Sequence, residues 1–104
     1  KIIIQSNNNH QELRQGLNNI GYYLETEDYT YDKNKWYITC KFIKSEKQNS
    51  KEIIKYGYLN NQDYNKYLLN HLKTISKKIP LSKLHEKIEY YKAIKHLKKA
   101  ISNI

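Results

Sequence analysis

A single cysteine, Cys40, rules out any disulfide framework, and this predicts a reducing, cytoplasmic setting for the chain. Cys40 lies inside an apolar run, so it reads as a core thiol and not as a nucleophile. Only three glycines are spread over 104 residues, and no glycine-rich phosphate loop or nucleophile elbow can be assembled from them. His10, His71, His85 and His96 lack the spacing of zinc ligands and have no cysteine partners, so no metal is expected and they read as surface histidines. Apolar runs stay far below the roughly 18 residues of a membrane span, and there is no signal-peptide pattern. A soluble protein with no membrane partner is predicted. Acidic residues are also scarce. Their one cluster, Glu25, Glu27 and Asp28, reads as the solvated edge of a hairpin.

Lysine and tyrosine are abundant instead. Nineteen Lys and Arg against ten Asp and Glu leave a formal charge of +9, which suits a polyanionic partner. The charge is unevenly placed. Residues 1–60 hold nine basic and seven acidic groups, whereas residues 61–104 hold ten lysines and three acids. Eleven tyrosines bring rings that bury well and hydroxyls that need partners, and so favour half-buried faces.

Hydrophobic spacing divides the chain near residue 60. Lys1–Gln5 is apolar without alternation, as in a strand covered on both faces of a parallel sheet. Asn9 followed by Glu12 fits a capped helix start, Leu13, Leu17 and Ile20 make its stripe, and Gly21 marks its end. Tyr22–Tyr31 and Lys35–Lys44 read as a hairpin around a short Asp-Lys-Asn turn, with Trp36, Ile38, Cys40 and Phe42 on the core face. "SEKQNSKE" reads as a surface loop. Asn61 then caps a helix with Tyr64, Leu68, Leu72, Ile75 and Ile79 on one stripe, ended by Pro80. Ser82 is placed to cap a second helix whose stripe is Leu84, Ile88, Tyr91, Ile94, Leu97 and Ile101. Joined by a tight turn, the two helices predict an antiparallel pair. Their lysines, Lys73, Lys77, Lys78, Lys83, Lys87, Lys92, Lys95, Lys98 and Lys99, lie beside the apolar stripes and suit a surface that follows a phosphate backbone. Tyr56, Tyr58, Tyr64 and Tyr67 are available for base stacking or for packing.

Three stretches carry a family resemblance. "KIIIQSN…QELRQGL", "GYYLETEDYTYDKNKWYITCKF" and "YGYLNNQDYNKYL" resemble successive segments in the C-terminal half of the bacterial tRNA (adenine-22)-N1-methyltransferases, which depend on S-adenosylmethionine. Ser6 and Tyr58 stand where that family has proline, and "KKIPLSKLHEKIEYYKAIKHLKKAI" matches only in its helical, basic character. The resemblance implies an α/β chain: residues 1–60 as the strand-helix-hairpin end of a Rossmann-like methyltransferase sheet, its last strand antiparallel beside the fifth. Residues 61–104 would be an antiparallel two-helix coiled-coil arm that holds tRNA. Gln5, Ser6 and Asn7 would line the target-base pocket at the ligand-binding edge of the sheet. The cofactor strands would lie upstream, with no cofactor-binding residue in this segment, and the protein would be a monomer. A small autonomous RNA-binding or helix-mediated interaction module without catalysis is the competing expectation; a membrane-surface helix pair is a third.

Overall fold

The computed structural model describes residues 1–102, and its chain contacts divide into two compact units, one from Lys1 to Tyr58 and one from Leu59 onward. The first unit contains β1 (Ile2–Ser6), α1 (His10–Asn19), β2 (Tyr22–Asp32), β3 (Lys35–Lys44) and α2 (Lys51–Tyr56). Its sheet has the order β1-β3-β2, and both β1 and β2 run antiparallel to β3. The last strand therefore inserts between the other two, which run parallel to each other.

The β2–β3 turn consists of Lys33 and Asn34, both with positive φ, the two-residue turn whose twist suits a hairpin. Ile38, Cys40 and Phe42 are almost fully buried along one face of β3, while Tyr37, Thr39, Lys41 and Ile43 on the other face are half-buried. In β1 burial alternates, and Ile3 is 65% exposed. The apolar run is thus covered on one face only within the described residues. β1 pairs with β3 alone, so its other edge carries no strand among those residues.

A bulge gives β2 its character. Leu24 opposes Phe42 and Thr26 opposes Lys41, so Glu25 is an extra residue between them. The extra residue reverses the in-out parity of everything after it. Glu27, Tyr29 and Tyr31 join the face of Cys40, Ile38 and Trp36, which strict alternation from Leu24 would have denied them. Glu25 stays outside and pairs with Lys41 at 3.0 Å.

Two helix starts depart from expectation. Asn9 adopts a left-handed conformation and makes no side-chain cap; its carbonyl accepts from Leu13 N–H. The end of "SEKQNSKE", read as surface loop, instead opens α2: Ser50 Oγ accepts from Ile53 N–H, and Gly57 ends the helix at φ +83°. Gly21 ends α1 at φ +91°, as its position predicts.

The second unit pairs α3 (Gln62–Lys78) with α4 (Leu84–Ser102) across Pro80 and a 3₁₀ turn, Leu81–Lys83. Asn61 Oδ1 caps α3 by accepting from Tyr64 N–H at 2.9 Å. Ser82 caps nothing, because it sits inside the 3₁₀ turn that leads into α4. The α4 stripe is not one face. From Ile88 to Leu97 three successive three-residue steps rotate it by about 180° at 3.6 residues per turn. Leu97 is buried and Ile94 and Ile101 half-buried, whereas Leu84, Ile88 and Tyr91 are 54%, 41% and 67% exposed. Asn103 and Ile104 of the predicted arm lie outside the described residues.

Candidate functional site

In the first unit the strand ends define the candidate edge. Because β1 and β2 are parallel, their C-terminal ends, Ser6 and Asp32, point the same way. Ligands of open α/β sheets bind at such ends. Strand alternation separates the three predicted pocket residues. Gln5 is exposed on the face of Thr39, whereas Ser6 points to the face of Ile38 with its Oγ buried and unpartnered. Asn7 is exposed in the loop that follows. Only Ser6 therefore faces α1.

His10, read from sequence as a surface residue, belongs to this edge. It is half-buried, and its Nε2 lies 3.4 Å from the Ser6 carbonyl. Desolvation lowers its pKa from the ordinary 6.5, partly offset by the Ser6 carbonyl. The folded state therefore disfavours the imidazolium. His10 should cost nothing above pH 6.5 and should destabilise the fold as pH falls below it, where the unfolded chain takes the proton first. A series of urea unfolding midpoints from pH 8 to pH 5 should show this fall, and His10→Gln should reduce it; identical profiles would contradict the assignment.

Behind this edge lies a polar interior that sequence reasoning did not anticipate. Arg14 and Glu27 are 3% and 1% exposed. Arg14 Nε and Nη2 donate to Glu27 Oε2 at 2.9 and 2.8 Å, and Nη1 donates to the Ile54 carbonyl at 3.2 Å. Glu27 Oε1 accepts from Tyr58 N–H and Tyr29 O–H, each at 3.0 Å. Glu27 is thus no solvated hairpin edge but the central acceptor of the unit. Cys40 Sγ lies 3.5 Å from Glu27 Oε2, and burial together with that carboxylate pushes its pKa up to about 12. Such a thiol is a packing group with almost no thiolate at neutral pH.

A further buried polar residue, Asn49, extends the outer edge of β2. Its Oδ1 accepts from Leu24 N–H and Asn18 Nδ2, both at 2.9 Å, and its Nδ2 donates to the Leu24 carbonyl at 3.1 Å. Tyr58 O–H donates to the same carbonyl, so this ring is committed to packing. Burial, with Tyr23 nearby, pushes the Tyr58 pKa up to about 12. Tyr64 is buried too, whereas Tyr67 is 45% exposed and stacks on His71, with centroids 5.8 Å apart and planes 9° apart.

None of the three glycines forms a cofactor cradle. Gly16 is inside α1, Gly21 ends that helix, and a Cβ on Gly57 would come within 2.5 Å of Arg14 Nη2 and Glu27 Oε1. No group of three or more His, Cys, Asp or Glu that could hold a metal ion occurs among the described residues.

In the second unit Lys73, Lys77, Lys78, Lys83, Lys92, Lys95, Lys98 and Lys99 are exposed. Lys92 lies 3.8 Å from Glu89. Lys87 differs: it is half-buried, and its Nζ donates to the Ser76 and Ile79 carbonyls at 3.3 and 3.2 Å, closing the C-terminal end of α3. Lys66 is exposed and falls on the line of Lys73 and Lys77 at i, i+7 and i+11, a member of the series that the sequence reading passed over. No described helix is long and apolar enough to cross a membrane.

No family model and no curated protein matches the chain. Solved structures do. A protein of the NADB-Rossmann superfamily from Streptococcus agalactiae aligns over 95% of this chain at TM-score 0.75 and 21% identity. Sp1610 from Streptococcus pneumoniae, provisionally assigned as a tRNA (m1A22) methyltransferase, aligns over 95% at TM-score 0.77 and 19% identity. TrmK from M. capricolum, solved with S-adenosyl-homocysteine, aligns over 96% at TM-score 0.70 and 20% identity. The fold is that of about half a TrmK-type methyltransferase. The chain spans 46%, 48% and 48% of those three structures, respectively. The TrmK-type likeness takes in both units, since the aligned share of this chain exceeds either unit alone.

Proposed function

We propose that these residues are the C-terminal, sheet-closing and RNA-holding portion of an S-adenosylmethionine-dependent methyltransferase acting on N1 of adenine 22 in tRNA. The observation that carries this reading is the β1-β3-β2 order followed by a basic helical pair, aligned along nearly the whole chain with TrmK-type structures. The unpaired edge of β1 and the exposed Ile3 support continuation of the sheet by strands from elsewhere in the protein. The methyl donor would be held there. These residues would contribute the Ser6 edge that positions the base and the lysines that hold the backbone.

The test is methyl transfer by the intact protein containing these residues, with labelled S-adenosylmethionine and a tRNA bearing adenine 22. Methylation at N1 blocks the Watson–Crick edge, so a reverse-transcription stop at position 22 is expected, absent when guanine replaces the adenine. Tight tRNA binding without any methyl transfer would overturn this reading in favour of a non-catalytic RNA-binding module.

A further inference from the structure

The β2–β3 hairpin is longer than the strand beside it, and the excess projects past the ligand-binding edge. Ser6, Ile38 and Tyr29 form one row across the sheet, at which β1 ends. Beyond it the hairpin continues through three further pairs, Thr30 with Tyr37, Tyr31 with Trp36 and Asp32 with Lys35, and closes at Lys33 and Asn34. At about 3.4 Å per residue the overhang reaches roughly 10 Å before the turn. The Glu25 bulge sets which side chains it presents. By reversing parity it places Tyr31 on the same face as Trp36 and Ser6.

Tyr31 and Trp36 form a tilted ring pair with centroids 5.3 Å apart and planes at 56°. Tyr31 is 56% exposed, and its hydroxyl donates to Asn34 Oδ1 at 3.3 Å, which restrains the ring. Lys33 in the turn and Lys35 on β3 are exposed and adjoin the pair in sequence, Lys35 on the opposite face of the strand from Trp36. A core residue has no reason to stand beyond the end of its neighbouring strand with more than half its surface in water. Two rings are also far too small for a protein interface, which takes about 800 Å² from each partner. They are the right size for one flat base.

We propose that this overhanging tip is a stacking platform for an unpaired nucleobase of an RNA substrate, beside the edge where the target base is presented. The assignment rests on the RNA-substrate reading above but uses residues of the first unit only. A stacked base recognises single-stranded or looped RNA and leaves a continuous duplex unbound, because only unstacked bases expose a ring face.

Trp36 is the chain's one tryptophan and reports on the site directly. The intact protein is titrated with a short oligoadenylate, with tRNA and with a blunt RNA duplex, following tryptophan emission, with Trp36→Phe as the background. Oligoadenylate and tRNA should quench Trp36, and the duplex should not. Tyr31→Ala should weaken oligoadenylate binding about tenfold, without changing the slope of log affinity against log salt, since stacking releases no counterions. Equal binding by Tyr31→Ala, equal quenching by duplex, or self-association that Tyr31→Ala abolishes would each overturn the platform. Methyl transfer separates the two claims. Its absence with quenching intact removes only the enzymatic reading, and its persistence with no effect of Tyr31→Ala removes only the platform.

Discussion

Glu27→Gln should destabilise the first unit by about 3–5 kcal/mol, the cost of breaking a buried ion pair by removing one partner. The carboxylate takes two donors from Arg14 on Oε2 and the Tyr58 N–H and Tyr29 O–H on Oε1. A neutral amide can accept at one end only, and its NH₂ would confront donors at the other. Arg14 would be left as an uncompensated guanidinium at 3% exposure. Against a typical total stability of about 5–15 kcal/mol, that loss is severe. Arg14→Met should cost a similar amount, and the Arg14→Met, Glu27→Gln double variant less than the sum of the singles, because no charge remains buried. Gly57→Ala should fall with them: its φ of +83° is strained for any Cβ, and that Cβ would strike the same pair. Urea unfolding of the intact protein, followed by far-UV circular dichroism, measures all four. A Glu27→Gln variant within about 0.5 kcal/mol of the parent, the scatter of ordinary surface substitutions, would show that the pair does not hold the unit together.

That pair also marks where sequence pattern stops being informative. Trp36, Ile38, Cys40 and Phe42 announce the inner face of β3 by alternation, and Asn61 with Pro80 brackets α3, because each signal is local. Glu27 is the opposite case. Its inward aim depends on one extra residue in β2, and a bulge at Glu25 has no compositional mark to distinguish it from the charges around it. Arg14 and Asn18 then look like the wet side of α1, although they are its buried positions and Ile20 is 68% exposed. Asn49 was hidden within a run of polar residues for the same reason: a side chain that mimics a strand edge looks, in sequence, like a loop. Two signals were present and unread. Ser50 and Gly57 bracket α2 as cap and stop, and the three-residue steps from Ile88 to Leu97 already contain the rotation that turns Tyr91 outward. Of the candidate site, the strand end at Ser6 was legible, whereas the hydrogen-bonded His10 and the overhanging aromatic pair follow only from the register.

Neutralising Lys66, Lys73 and Lys77 together should weaken tRNA binding by roughly an order of magnitude and reduce the salt slope of log affinity by about 2 to 3, since each lost phosphate contact removes about 0.7–0.9. The three lie on one line of α3 over about 16 Å, at 1.5 Å per residue, and all are exposed. Residues 61–104 carry only three acids against ten lysines, so self-neutralisation cannot silence the line. Glutamine is the replacement of choice because it preserves helix propensity and makes the readout one of charge alone. Lys87→Gln supplies the contrast. Its ammonium is occupied by the Ser76 and Ile79 carbonyls, so it should lower the stability of the helical pair by about 1 kcal/mol and leave the salt slope unchanged. If the triple variant binds tRNA with the parental affinity and slope, the helical pair is a solvated surface and RNA is held elsewhere. If Lys87→Gln alone flattens the slope, its ammonium must leave the end of α3 to reach a phosphate, and the capping role assigned to it here fails.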